Sequence, residues 1–242
     1  MTRNYAITEN ITEDANDILF TAAVTNNFSG NSAVSNSDAT NILGCGNITV
    51  SPLEGFPKTI TIDFGDACTV GAITRKGKIN ITISDSLRKS GSVAVMTFNN
   101  YYVNGFKVEG TITWTNTSQP GSKSWERKSE KGKITSPEGK YWMFSGIKNI
   151  VQVEGVDTPH NLLDDVFSIT GNHTVTNAEG KTRTSTILEA LQKKVVCANV
   201  DKGKVEIKGA NHTAIIDFGT GTCDNVATIS IDGSAPRTIL LR

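Results

Sequence analysis

Apolar and polar residues alternate along most of this chain with the period of two that sends successive side chains to opposite faces of a β-strand. Thr59-Ile-Thr-Ile-Asp-Phe-Gly65 carries Ile60, Ile62 and Phe64 on one side, and the pattern returns as Thr213-Ala-Ile-Ile-Asp-Phe-Gly219, with Ala214, Ile216 and Phe218. A short alternating run precedes each copy, Asn47 to Ser51 and Lys204 to Lys208, across the turn-forming stretches Pro52 to Pro57 and Gly209 to Asn211. Each copy therefore reads as strand, turn, strand.

The rest of the chain continues in the same manner. Lys78 to Ser84 alternates with Ile79, Ile81 and Ile83 inward, and Val93 to Phe98, apolar on both faces, suits a central strand. Asn104-Gly105 between two alternating runs predicts a two-residue hairpin, with Val108, Ile112 and Trp114 continuing its inner face. Pro137-Glu-Gly139, Ala178-Glu-Gly180 and Asp232-Gly233 mark further turns between β-rich segments. The fold class is all-β: a long, mainly antiparallel meander of about a dozen strands. Periodicity gives faces and not closure, so an open barrel and a sandwich both remain open.

Residues 12–24 form the one helical pattern, with Thr12 as N-cap, Glu13 and Asp14 at the positive end of the helix dipole, and a stripe of Ile11, Ala15, Ile18, Leu19 and Ala22. Thr25 to Asn41, rich in Asn, Ser, Thr, Ala and Gly, reads as a flexible linker. Residues 1–44 are thus a short helix and tether, and residues 45–242 a β-domain that opens and closes with the repeated hairpin.

The four cysteines flank the two copies, Cys45 and Cys68 around the first, Cys197 and Cys223 around the second. The midpoint of each pair falls inside the proposed turn, so antiparallel pairing carries each cysteine towards its partner. Of the three possible connectivities this favours Cys45 with Cys68 and Cys197 with Cys223, against four buried thiols. Lys plus Arg equals Asp plus Glu at 24 each, which leaves no long-range field for nucleic acid or anionic lipid. The local basic clusters, Thr74 to Lys78 and Lys123 to Lys133, read as solvated strand faces. No apolar run approaches the roughly 20 residues of a membrane-spanning helix.

Catalytic signatures are sparse. Asp63-Phe64-Gly65 and its repeat lack the glycine-rich loop, strand lysine and catalytic loop that would make them a kinase metal motif. His160, His173 and His212 are not at metal-ligand spacing to one another or to a cysteine, so no metal site and no cofactor are expected. Asp164-Asp165 is the best acidic pair for glycoside hydrolysis, and only in a loop, because adjacent strand residues face opposite ways. The remaining chemistry is aromatic. Tyr101, Tyr102, Trp125, Tyr141 and Trp142 are candidates for stacking a glycan or host-matrix ligand; alternation sends one member of each adjacent pair outward, and Trp125 lies in a polar strand.

Several phrases in order, Ile48-Thr-Val-Ser-Pro52, Phe56-Pro-Lys-Thr-Ile-Thr-Ile-Asp-Phe-Gly65, Thr74-Arg-Lys-Gly-Lys78, Phe98-Asn-Asn-Tyr-Tyr-Val-Asn-Gly105, Lys107-Val-Glu-Gly110, Leu163-Asp-Asp-Val166 and Gly221-Thr-Cys-Asp-Asn225, resemble a family of exported lipoproteins from Bacteroidetes. The resemblance implies export behind an acylated lipobox cysteine, absent from this sequence, and a location at the outer membrane, in the periplasm or on the cell surface. It implies membrane attachment only through that lipid anchor, and it supplies no mechanism. The expectation is a non-catalytic binding or adhesion module; a carbohydrate-active hydrolase and a purely structural surface protein are the alternatives.

Overall fold

A computed structural model describes residues 43–158, 162–197 and 199–241, together with residues 8, 11, 12, 14–19, 21 and 22 of an N-terminal helix, α1. The proposed linker, Thr25 to Asn41, and His160 lie outside the described residues.

Strand follows strand as the alternation requires: β1 (Asn47–Ser51), β2 (Lys58–Asp63), β3 (Cys68–Val70), β4 (Ile73–Ile83), β5 (Val93–Val103), β6 (Phe106–Asn116), β7 (Lys123–Thr135), β8 (Tyr141–Glu154), β9 (Val166–Asn177), β10 (Thr182–Lys194), β11 (Lys202–Lys208), β12 (Thr213–Thr220), β13 (Val226–Ile231) and β14 (Arg237–Leu240). A 3₁₀ turn, Leu162–Asp164, lies between β8 and β9. Sheet order follows sequence order from β1 to β14, with β3 alone off the path, paired to β4. The ladder is thus an open antiparallel meander. By contacts the chain divides into two compact units, Met1–Asn116 with Ser129–Phe144, and Thr117–Lys128 with Ser145–Arg242.

In the first unit one face of the sheet is a continuous apolar layer. Ile60 pairs with Ile81, Ile81 with Met96 and Met96 with Ile112, while Ile83, Ala94 and Trp114 form the next row. All are buried, as is the helical stripe of Ile11, Ala15, Ile18, Leu19 and Ala22, which is at most 6% exposed. The two-residue turn at Asn104 (φ 47°) and Gly105 (φ 81°) joins Val103 to its partner Phe106, as Asn-Gly predicts. A bulge at Asn99-Asn100, with Asn100 at φ 46°, lets the inner face change parity along β5, from Ala94 and Met96 to Tyr101 and Val103. Opposite it, Gly77 (φ 79°) lies so close to the bulge that a Cβ would come within 1.9 Å of the Asn100 carbonyl oxygen.

The helix departs from its sequence reading at the start. Thr8 is already helical, and Thr12 sits inside, its hydroxyl donating to the Thr8 carbonyl at 2.7 Å, so Thr12 is not the cap. Thr8 lies on the buried stripe four residues before Thr12, but as a polar residue it gave no signal to the apolar pattern.

The second unit repeats the hairpin and the hydrogen bond from its aspartate to the glycine two residues on. The Asp63 Oδ1 accepts the Gly65 N–H at 2.9 Å, and the Asp217 Oδ1 accepts the Gly219 N–H at 2.9 Å. The aspartate of each Ile-Asp-Phe-Gly phrase therefore holds the backbone two residues on, at the turn after β2 in the first copy and beside the register shift of the β11–β12 ladder in the second, a hydrogen bond that an Asx side chain commonly makes. Each also meets a cross-strand lysine, Lys78 at 2.7 Å and Lys204 at 3.6 Å. The Lys78 hydrogen bond first, and the Gly65 N–H after it, hold the Asp63 carboxyl below the usual carboxylate range.

Both disulfides form as the hairpin geometry favours, Cys45 with Cys68 and Cys197 with Cys223, at Cα separations of 5.5 and 5.3 Å. The closed loops are 23 and 26 residues apart in sequence. Loops of that size constrain the unfolded chain by about 3 kcal/mol each in the chain-entropy model. Mass spectrometry of non-reduced digests should yield those two linked peptides; a Cys45–Cys197 peptide would overturn the pairing.

Two of the glycines at φ above zero, Gly65 and Gly77, make a second check. Gly65→Ala meets nothing within 4 Å and bears only its φ of +59°, whereas Gly77→Ala collides with backbone. Urea unfolding should show about 1 kcal/mol lost for the first and about 3 kcal/mol or more for the second. Equal losses would contradict the close approach at the bulge.

Candidate functional site

The aromatic candidates divide according to what α1 requires of the sheet beneath it. Asp14 projects from the helix onto β4, where the Arg75 guanidinium takes both carboxylate oxygens, Nε donating to Oδ2 at 3.1 Å and Nη2 to Oδ1. The side chains are 1% and 9% exposed. Burial works against the charge on Arg75, but the hydrogen bond and charge of Asp14, with Tyr101, outweigh it and raise its pKa. The Tyr101 hydroxyl stands 3.5 Å from the Asp14 Oδ2. Burial first, and the Asp14 charge second, push that phenol well above its ordinary range, so it stays a neutral donor.

Two further polar contacts fix the helix. The Trp114 indole N–H donates to the Asn16 Oδ1 at 3.1 Å, and the Trp142 N–H donates to the Thr8 Oγ1 at 2.6 Å. A buried indole or phenol needs such a partner. Tyr101, Trp114 and Trp142, at 0%, 6% and 3% exposure, are therefore core residues that present no ring to a ligand. For Trp114 this is as expected from its strand face; Tyr101 and Trp142 leave the list of stacking candidates. Arg75 is a second correction: read as part of a solvated basic cluster, it lies on the same face as Cys68 and Val103, its ladder partners, under the helix. Arg127, in the other cluster, is 5% exposed. In each case the period of two put the charge inward, and composition alone could not show that a carboxylate awaited Arg75.

Alternation sends the neighbours of these core rings to the other side of the sheet, away from α1. Tyr102, half-buried, has the Lys76 ammonium 4.5 Å from its ring centroid; Tyr141, exposed, has Lys133 at 4.7 Å. Lys107, opposite Tyr102 in the ladder, pairs with Glu109 at 3.0 Å, and that hydrogen bond raises its pKa. Tyrosine rings with lysines above them offer apolar faces bordered by N–H donors, the pattern that suits a pyranose face and its hydroxyls. Trp125 is half-buried in the second unit, edge-on to Phe167 at a centroid distance of 6.4 Å.

The acidic pair lies where hydrolysis would need it, in a 3₁₀ turn and loop, but its members are differently engaged. Asp164 is exposed and accepts from the Thr158 hydroxyl at 2.7 Å, while Asp165 is buried and accepts from the Gln152 amide at 2.8 Å. Gly155 passes so close that a Cβ would lie 2.3 Å from the Asp165 Oδ1, so the chain turns around this carboxylate. Such contacts build a loop. His173 is buried, and exposed His212, in the β11–β12 turn, binds the Asp232 Oδ2, in the β13–β14 turn, at 2.5 Å. Cys197, Asp201 and Cys223 come together, but the sulfurs are bonded to each other and Asp201 accepts from Lys194 at 3.1 Å, which leaves no thiolate for a metal.

The chain matches no protein-family model, no curated protein and no solved structure. Function must therefore be argued from its own residues.

The Asp14–Arg75 pair makes a sharp prediction. Removing either partner alone, Asp14→Asn or Arg75→Met, should cost about 3–5 kcal/mol in urea unfolding, since the other charge is left buried. The double variant Asp14→Leu with Arg75→Met should recover most of it. Additive losses would mean that the two charges are independently solvated.

Proposed function

We propose that this chain is the folded part of an exported, lipid-anchored surface protein that binds a glycan or host-matrix ligand without catalysis. The single observation that carries the reading is the pair of ring–lysine contacts at Tyr102 and Tyr141, on the side of the first unit's sheet that α1 does not cover. An exposed lysine gives up a contact of this kind for about 0.5–1 kcal/mol, so a sugar can take its place over the ring while the ammonium donates to a hydroxyl. Two disulfides closing local hairpins agree with an oxidising compartment, which supports export. The order of family-like phrases from Ile48 to Asn225 supports the same compartment and the lipid anchor.

Glycan and matrix arrays test this directly. The intact protein should bind a defined subset saturably, and Tyr102→Ala and Tyr141→Ala should each weaken that binding about fivefold or more, the loss of one ring–ligand stack. Trp125→Ala separates the second unit's ring from these two. Asp164→Asn should leave binding unchanged, and no sugar should be released on incubation; turnover abolished by Asp164→Asn would favour the hydrolase. Blank arrays would leave a structural role.

A further inference from the structure

The two copies of the repeated hairpin have unlike surroundings. Ile62 is buried where Ile216 is half-buried, and at the disulfides the contrast becomes chemical. Each bridge joins an exposed cysteine, Cys45 or Cys223, to a buried one, Cys68 or Cys197. The buried sulfur of the first lies 4.0 Å from a neutral acceptor, the Leu43 carbonyl oxygen. The buried sulfur of the second lies 3.5 Å from Oδ2 of Asp201, a carboxylate that is itself 2% exposed. A disulfide sulfur has no proton to donate, so this contact becomes a hydrogen bond only once the bridge is reduced. The Lys194 ammonium meets the same oxygen at 3.1 Å, while Oδ1 has no hydrogen-bond partner among the described residues. A buried carboxylate oxygen without a partner is costly, and here it is kept beside a sulfur that gains a proton on reduction. The backbone also keeps the two cysteines together without their bond. The Gly221 N–H donates to the Asp201 carbonyl at 2.8 Å, the Lys194 ammonium donates to the Gly221 carbonyl at 2.7 Å, and the Cys197 N–H donates to the Lys194 carbonyl at 3.1 Å. Gly221 is two positions before Cys223, so opening the bridge leaves its sulfurs neighbours.

We propose that Cys197–Cys223 is a reversible disulfide that exchanges with paired thiols of a partner protein, with Asp201 carrying the proton to and from the Cys197 sulfur. A thiolate of the partner attacks the exposed Cys223 sulfur. A mixed disulfide forms there as the Cys197–Cys223 bond breaks, and the electron pair stays on the Cys197 sulfur. The proton that the attacking thiol gave up passes through Asp201 to that sulfur. The partner's second thiolate then attacks its own sulfur in the mixed disulfide, which closes the partner's disulfide and releases Cys223 as a thiolate that takes its proton from water. Two electrons and two protons thus pass from the partner dithiol to Cys197 and Cys223, with no other oxidant consumed. In reverse, Asp201 takes the Cys197 proton, so that the thiolate can attack a mixed disulfide held on Cys223.

Limited reduction of the intact protein by dithiothreitol, with alkylation and mass spectrometry at timed intervals, follows both bridges in one sample. Cys197–Cys223 should open about tenfold faster or more than Cys45–Cys68, the internal control, which also has one exposed sulfur but a neutral acceptor at the other. This comparison needs no variant, so it holds even where a substitution fails to fold. Asp201→Asn should slow the opening of Cys197–Cys223 about tenfold and remove the lower limb of its pH profile, with Cys45–Cys68 unchanged. The other charged groups at the site are Lys194, Lys193, which donates to the Cys197 carbonyl, and exposed Asp224, whose Oδ1 accepts the Val226 N–H at 2.9 Å; Lys194→Gln should keep that lower limb. A synthetic peptide with two thiols should emerge as its disulfide, one for each Cys197–Cys223 opened, and Cys197→Ser treated with glutathione disulfide should hold glutathione on Cys223. Equal rates at the two bridges, a pH profile that Asp201→Asn leaves intact, no oxidised peptide, or loss of the β-sheet circular dichroism when Cys197–Cys223 alone is reduced would each overturn the proposal and make the bridge a staple.

Discussion

The first unit depends on one buried charge pair. Asp14 and Arg75 are separated by 61 residues, and their contact fixes where along the sheet α1 sits and which way it is rotated. An apolar stripe alone would not do this, because aliphatic contact is non-directional and a helix can slide along a flat layer of isoleucines with little loss. A bidentate guanidinium–carboxylate contact has one geometry, and leaving it unmade in the interior is costly. Such pairs contribute little net stability against a well-packed apolar replacement, so the role of this one is to select a single docked arrangement.

The other features of the unit follow from that arrangement. With α1 in place, Trp114 and Trp142 find acceptors on Asn16 and Thr8, and Tyr101 is drawn under the helix beside Asp14. The bulge at Asn99-Asn100 is what turns Tyr101 rather than Tyr102 inward, and Gly77 makes room for it. The same alternation then delivers Tyr102 and Tyr141 to the opposite side with their lysines. The core and the candidate ligand surface are thus two faces of one register choice.

Local features were legible in the sequence. The Asn104-Gly105 turn, the inward row of Val108, Ile112 and Trp114, the sheet order and both disulfides all rest on short-range spacing, where strand period and turn chemistry decide the outcome. What was missed required knowing the partner. Thr8, Asp14 and Asn16 are polar residues on a buried helix face, so an apolar-period reading passes over the first and assigns Asp14 to the helix dipole. Arg75 sits in a basic run and looks solvated until a carboxylate is placed above it. The unequal burial of Ile62 and Ile216 was invisible for the same reason, since identical phrases are covered by different surroundings.

Native-state hydrogen exchange followed by NMR measures the central claim most directly. If α1 is locked to the sheet through Asp14 and Arg75, the amides of helical residues 14–19 should open only with those of β4 and β5, at the same free energy and the same denaturant dependence. If those helical amides exchange as free coil while β4 and β5 remain protected, the helix is not the keystone of the unit, and the account of its core is wrong.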